Sequence, residues 1–121
     1  MRYYFFILLY MTLIAVGSLM PVGIPHHVIR HQDKYIHILL YLPLGFLLSF
    51  PRMPSSYGLI YIVPLLIGAL YGAAMELLQS LLPYRDASLG DAGANCLGIF
   101  LGLMIGWAGK WRKKGGYYRR K

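Results

Sequence analysis

Acidic residues are nearly missing from this chain: Asp33, Glu76, Asp86 and Asp91 are all that its 121 residues contain. Charged residues of both signs make up 13%, where a soluble domain carries about 25%. With a mean hydropathy of +0.54, that deficit excludes a water-soluble surface and indicates an integral membrane protein. The single cysteine, Cys96, excludes an intrachain disulfide, and its place in an apolar run reads as packing. The length leaves room for one domain, residues 1–121, and for no separate soluble module. Internal repeats and low-complexity tracts are absent.

What the chain does have is apolar length. Four segments, at about 3–20, 33–50, 58–82 and 89–108, predict an all-α bundle of four transmembrane helices, since a span needs about 20 residues and tolerates roughly 17 to 25. The second is short unless Asp33 and Lys34 join its first turn. Pro43 lies inside the second segment, Pro64 inside the third, and Pro51 bounds the second; each removes a backbone donor, which neighbouring helices can tolerate. The first segment is longer than a signal-peptide core and lacks a small-residue cleavage site, so a retained helix is expected.

The basic residues orient the bundle. With both termini inside, Arg2, Arg52 and seven residues of a tail at 109–121 (Lys110, Arg112, Lys113, Lys114, Arg119, Arg120 and Lys121) lie on the cytoplasmic side, against Arg30, Lys34 and Arg85 outside. That asymmetry predicts an N-in, C-in topology. Trp111, Tyr117 and Tyr118 interleave the tail, a pattern that in a soluble protein would suit nucleic acid. Following a spanning segment, it instead reads as an anchor on anionic lipid.

This arrangement gathers the polar residues into one outer slab. Asp33, His37 and Tyr41 are spaced i, i+4, i+8 and share a helix face. Glu76 lies roughly 9 Å below Leu82 at the helical rise, with Gln79 on the same face. Asp91 opens the fourth helix and Asn95 follows one turn inward. Gly90, Ala94, Gly98, Gly102 and Gly106 form a small-residue ridge on the fourth helix, available to the third helix or to a second copy of the chain. Gly68 and Gly72 form a ridge that points Glu76 into the bundle.

Each residue also has a plainer reading. Ser88 and Asp91 form the S-x-x-D pattern of a capping box, and Asp33 is equally suited to capping. Arg85 and Asp86 read as a solvated loop pair, Gln79 and Asn95 as interhelical hydrogen-bond formers, and Tyr41 as packing. Glu76 resists best, because a carboxylate within an apolar helix needs a partner, a proton or water; its plainer reading is an ion pair with Arg85 or Lys34. His37 is credible both as a general acid or base and as an ordinary hydrogen-bonded histidine. His27 and His31, with the nearby His26, have i, i+4 spacing, but no H-E-x-x-H pattern supports a metal. No metal and no cofactor is expected.

The run Asp33-Lys34-x-x-His37-x-x-x-Tyr41 resembles a motif of the VanZ-like bacterial membrane proteins. So does the run Glu76-x-x-Gln79, Arg85-x-x-Ser88-x-x-Asp91-x-x-x-Asn95-x-x-Gly98-x-x-x-Gly102. The resemblance covers residues 33–102 with no departure at a motif position. It implies a small helical protein of the bacterial cytoplasmic membrane, with a context in resistance to the glycopeptide teicoplanin but no settled reaction.

The residues then predict a site near the outer face that acts on the headgroup of a lipid or lipid-linked envelope precursor. Glu76, His37, Asp33 and Asp91 would do acid–base work. Lys34 and Arg85 would hold an anion, with Tyr41, Gln79 and Asn95 lining it. A non-catalytic binder or translocator of an amphiphile, and a structural subunit, are the alternatives. Four short helices enclose little space, so a homodimer is one way to complete a cavity.

Overall fold

In a computed structural model the chain is all-helical, with four helices in the order α1 (Arg2–Leu19), α2 (Gln32–Leu48), α3 (Leu59–Ser80) and α4 (Leu89–Tyr118). The structure describes residues 2–21, 32–51, 59–85 and 88–118, with 59–61 and 110–118 as backbone only. The loop histidines His26, His27 and His31, together with Asp86, lie outside the described residues.

Three helices are long and apolar enough to cross a membrane: α1, the Ile62–Ser80 part of α3 and the Leu89–Gly109 part of α4. Their outward faces are apolar; Phe5, Leu70 and Leu77 are all exposed. Such a surface would drive aggregation in water and suits hydrocarbon. The second segment behaves differently. It forms 17 residues of helix, about 25 Å at 1.5 Å per residue, and begins with Gln32, Asp33 and Lys34.

α2 packs chiefly on α4 and also touches α1 and α3. Pro43 sits inside it and the helix continues. It ends just before Ser49, whose Oγ caps the Phe46 carbonyl at 2.7 Å. The tail also departs from a simple end at residue 108: α4 runs on as helix to Tyr118. Lys and Arg are good helix formers and nothing between Lys110 and Lys114 breaks the backbone pattern.

Close backbone approach sets the bundle geometry. The small-residue ridge of α4 seats α2, rather than α3 or a second chain. A Cβ at Gly98 would fall 2.5 Å from the Ile38 carbonyl oxygen, and one at Gly102 would strike the backbone of Leu42 and Phe46. Gly45 is the reciprocal notch, pressed against the Ile99 backbone. The α3 ridge then accepts α4 side chains: Ile99 lies over Gly68, and a Cβ at Gly72 would sit 3.1 Å from Asn95 Cβ. Ile7, Ile14, Tyr41, Leu44, Leu48, Ile99 and Leu103 fill the centre.

Polar bonds tie α1 to this pair. Tyr10 Oη donates to the Leu40 carbonyl of α2 at 2.9 Å, and Tyr71 Oη of α3 donates to the Met11 carbonyl. At one end, the Tyr3 and Phe50 rings stack at 5.4 Å, which fixes the start of α1 beside the end of α2.

Gly102→Leu is expected to lower the thermal midpoint of detergent-solubilised protein sharply, since overpacking a close backbone contact costs about 1–3 kcal/mol or more. Gly93→Ala, where a Cβ meets nothing within 4 Å, should leave it level or slightly raised. Equal tolerance at both positions would contradict the packing.

Candidate functional site

The opposite end of the bundle carries the polar residues. The end of α1, the start of α2, the end of α3 and the start of α4 meet there, and bonds between them are specific. Gln79 Nε2 donates to the Ser18 carbonyl at 3.0 Å. Tyr84 Oη donates to the Leu19 carbonyl at 2.9 Å. Arg85 donates from Nη2 to the carbonyls of Gly17 and Met20, each at 3.3 Å. These are the last carbonyls of α1, which have no partner within their own helix.

At the centre, three helices contribute one side chain each. Asn95 of α4 is 1% exposed and Glu76 of α3 is 8% exposed. Asn95 Nδ2 donates to Glu76 Oε1 at 3.1 Å. The amide oxygen of Asn95 lies 2.8 Å from His37 Nδ1 on α2. Because the amide nitrogen is committed to the carboxylate, its oxygen must accept, so Nδ1 of His37 carries the donated proton. In a neutral ring, Nε2 is then the basic nitrogen. His37 Nδ1 and Glu76 Oε1 themselves lie 3.6 Å apart.

The ridge glycines make this cluster possible. Gly72 gives Asn95 and Tyr41 room against α3, with Tyr41 Cε1 at 3.4 Å from where a Cβ would be. Tyr41 is 1% exposed and forms the floor, its hydroxyl buried without a hydrogen-bond partner. Glu76 Oε2 is likewise buried without a close hydrogen bond, the Ser88 backbone being the nearby donor to the carboxylate.

A second pair lies nearer the surface. Ser88 Oγ donates to Asp91 Oδ2 at 2.7 Å and accepts from the Asp91 backbone N–H at 3.2 Å, a capping arrangement at the start of α4. Lys34 Nζ lies 3.7 Å from Asp91 Oδ1. Lys34 reaches across Gly90, where a Cβ would stand 2.8 Å from Lys34 Cε.

The residues singled out from sequence therefore separate into three sets. Glu76, His37 and Asn95 are joined directly. Asp91 and Lys34 pair with each other beside them. Gln79 and Arg85 turn to α1, and neither meets Glu76 in an ion pair. Asp33 is exposed and makes no hydrogen bond or ion pair with a described residue; the His37 ring is oriented by Asn95 in its place. Asp33 and His37 share a helix face, but Asp33 is a full turn nearer the helix end.

Sequence reasoning did not find the part played by α1, because backbone carbonyls carry no residue signature. Ser18, a small polar residue near the end of an apolar helix and 5% exposed, was the one visible sign. No group of three or more metal-ligating side chains is present among the described residues.

Two openings border the cluster. A small cleft of about 100 Å³ is lined by Asp33, His37, Gln79 and Arg85 with Gly17 and Ser18. A wider groove of about 360 Å³ runs between α3 and α4 and borders Glu76. Set beside protein-family models, curated proteins and solved structures, the chain matches none of them.

Asn95→Ala should lower stability by about 1–3 kcal/mol, because it leaves buried polar partners unsatisfied. Lys34→Ala should cost within about 1 kcal/mol, since the Lys34 side chain is 42% exposed and such pairs are worth little. Thermal unfolding in detergent measures both, and a larger loss from Lys34→Ala would contradict this ranking.

Proposed function

We propose that the chain is a VanZ-like protein of the bacterial cytoplasmic membrane, with four spans and both termini inside. We read its polar cluster as an extracytoplasmic site for the headgroup of a lipid or lipid-linked envelope precursor. The observation that carries the reading is Glu76, buried in an apolar bundle within 3.6 Å of a histidine ring from another helix. Ionisable groups inside a membrane are costly and mark function by default.

The four-span topology rests on α2 packing closely along α4 and touching α1 and α3, which lets a 17-residue helix with a polar start cross with them. The orientation rests on nine basic residues at one side against three at the other, with the basic end of α4 on anionic lipid. The motif resemblance over residues 33–102 supports the family and supplies its context in glycopeptide resistance.

The chemistry follows from the hydrogen-bond directions. With Nδ1 donating to Asn95, His37 Nε2 has a lone pair to take the proton of an attacking water or hydroxyl as its oxygen bonds to a phosphate or glycosyl centre. Returning that proton to the departing oxygen completes transfer or hydrolysis. Glu76, through Asn95, holds the ring in that tautomer and stabilises the positive charge that the ring gains. Arg85 borders the same cleft as His37, where a guanidinium suits an anionic group.

The bonds from Gln79 and Arg85 to α1 carbonyls favour a second reading, in which the polar groups chiefly hold helices together. A non-catalytic amphiphile binder is the third. One experiment separates them: mass spectrometry of lipids and wall precursors in cells making the wild type or Glu76→Gln at equal protein level. A species altered by the wild type and unaltered by the variant is the expected result. Identical profiles would remove the acid–base role, and loss of folded variant together with any phenotype would favour the structural one.

A further inference from the structure

The two openings beside the cluster differ in size, shape and charge. The cleft that borders His37 has room for a few waters and contains side chains of both signs, Asp33 and Arg85. The groove that borders Glu76 is more than three times larger, about 360 Å³, within the range of small-molecule sites. Its walls are Ala73, Leu77 and Ser80 of α3 with Ser88 and, on α4, Leu89 and Ala92. Leu77 and Leu89 are strongly exposed on its flanks, and both belong to helices apolar enough to face hydrocarbon.

Charge decides what fits there. Among the described residues, Glu76 is the one ionisable side chain lining the groove. Among the described residues, Lys34 pairs with Asp91 and Arg85 lines the other cleft, so neither lines the groove. Glu76 Oε1 is taken by Asn95, while Oε2 makes no close hydrogen bond and the Ser88 backbone, on the groove wall, is the protein donor beside the carboxylate. A buried carboxylate favours a cationic donor, and no cationic side chain among the described residues lines the groove to offset an entering anion. A mostly apolar groove with one acid in its wall complements an amphiphile with a cationic, donor-bearing head.

We infer that the groove between α3 and α4 binds an aminolipid, its primary ammonium donating to Glu76 and its chain lying along the groove into the bilayer. This deepens the proposed function, on which it rests, by naming the headgroup class and the side from which it enters. Lipid arrives laterally at Glu76 and water reaches His37 through the cleft.

The test uses the full chain in nanodiscs made from an equimolar mixture of phosphatidylethanolamine, phosphatidylcholine and phosphatidylglycerol with identical acyl chains. Native mass spectrometry reads the lipid retained. Choline keeps the positive charge and phosphate of the aminolipid but has no N–H. The wild type should retain phosphatidylethanolamine about tenfold over phosphatidylcholine, the ratio of one charge-assisted hydrogen bond, and over phosphatidylglycerol by more.

Ala92→Phe, which fills the groove, should abolish that preference. Ala73→Leu, at an exposed position on the opposite wall, should weaken it and provides a check if Ala92→Phe fails to fold. Equal retention of the ethanolamine and choline lipids would overturn the assignment, as would an undiminished preference in both groove variants. If Glu76→Gln changes cellular products while the wild type retains the three lipids equally, the groove assignment fails and the acid–base reading stands. Aminolipid preference in the wild type, with products indifferent to Glu76→Gln, supports the groove and removes the chemistry.

Discussion

A polar side chain enclosed by apolar helices must find a partner, and the amide of Asn95 is where that requirement is met. It faces a carboxylate on one side and an imidazole on the other, each from a different helix. An amide turned end for end would place its oxygen against the Glu76 carboxylate. The direction of one side chain therefore fixes which nitrogen of His37 holds a proton, and joins α2, α3 and α4 at a single depth.

That contact exists only because the helices approach closely. The α4 glycines bring its backbone against α2, and Gly72 lets Asn95 rest on α3. Packing and polar contact are thus one arrangement: widening the α2–α4 contact would pull His37 from Asn95. The α1 helix closes the end from outside, held by side chains of α3 and the loop after it. Its carbonyls take the donors of Gln79, Tyr84 and Arg85, which leaves His37 bordering a small cleft and Glu76 bordering a wider groove between α3 and α4.

Much of this was legible in the residues. Hydropathy marked the four helices, S-x-x-D marked the start of α4, and the Gly68–Gly72 ridge correctly turned Glu76 inward. The partner of the α4 ridge was not legible, because α2 answers it with a single notch at Gly45 rather than a matching repeat. The pairing of Asp33 with His37 did not follow from their spacing either, since a shared helix face says nothing about how far the protein extends around the first turn. Lys34 and Arg85 were visible as cations but not as cations already engaged, one by Asp91 and one by backbone carbonyls.

The most direct measurement is solid-state NMR of the protein in lipid, with the His37 ring labelled with nitrogen-15. The account predicts a proton on Nδ1, with through-space contact between that nitrogen and the Asn95 side chain. A neutral ring protonated at Nε2 alone, or an Nδ1 remote from Asn95, would contradict it.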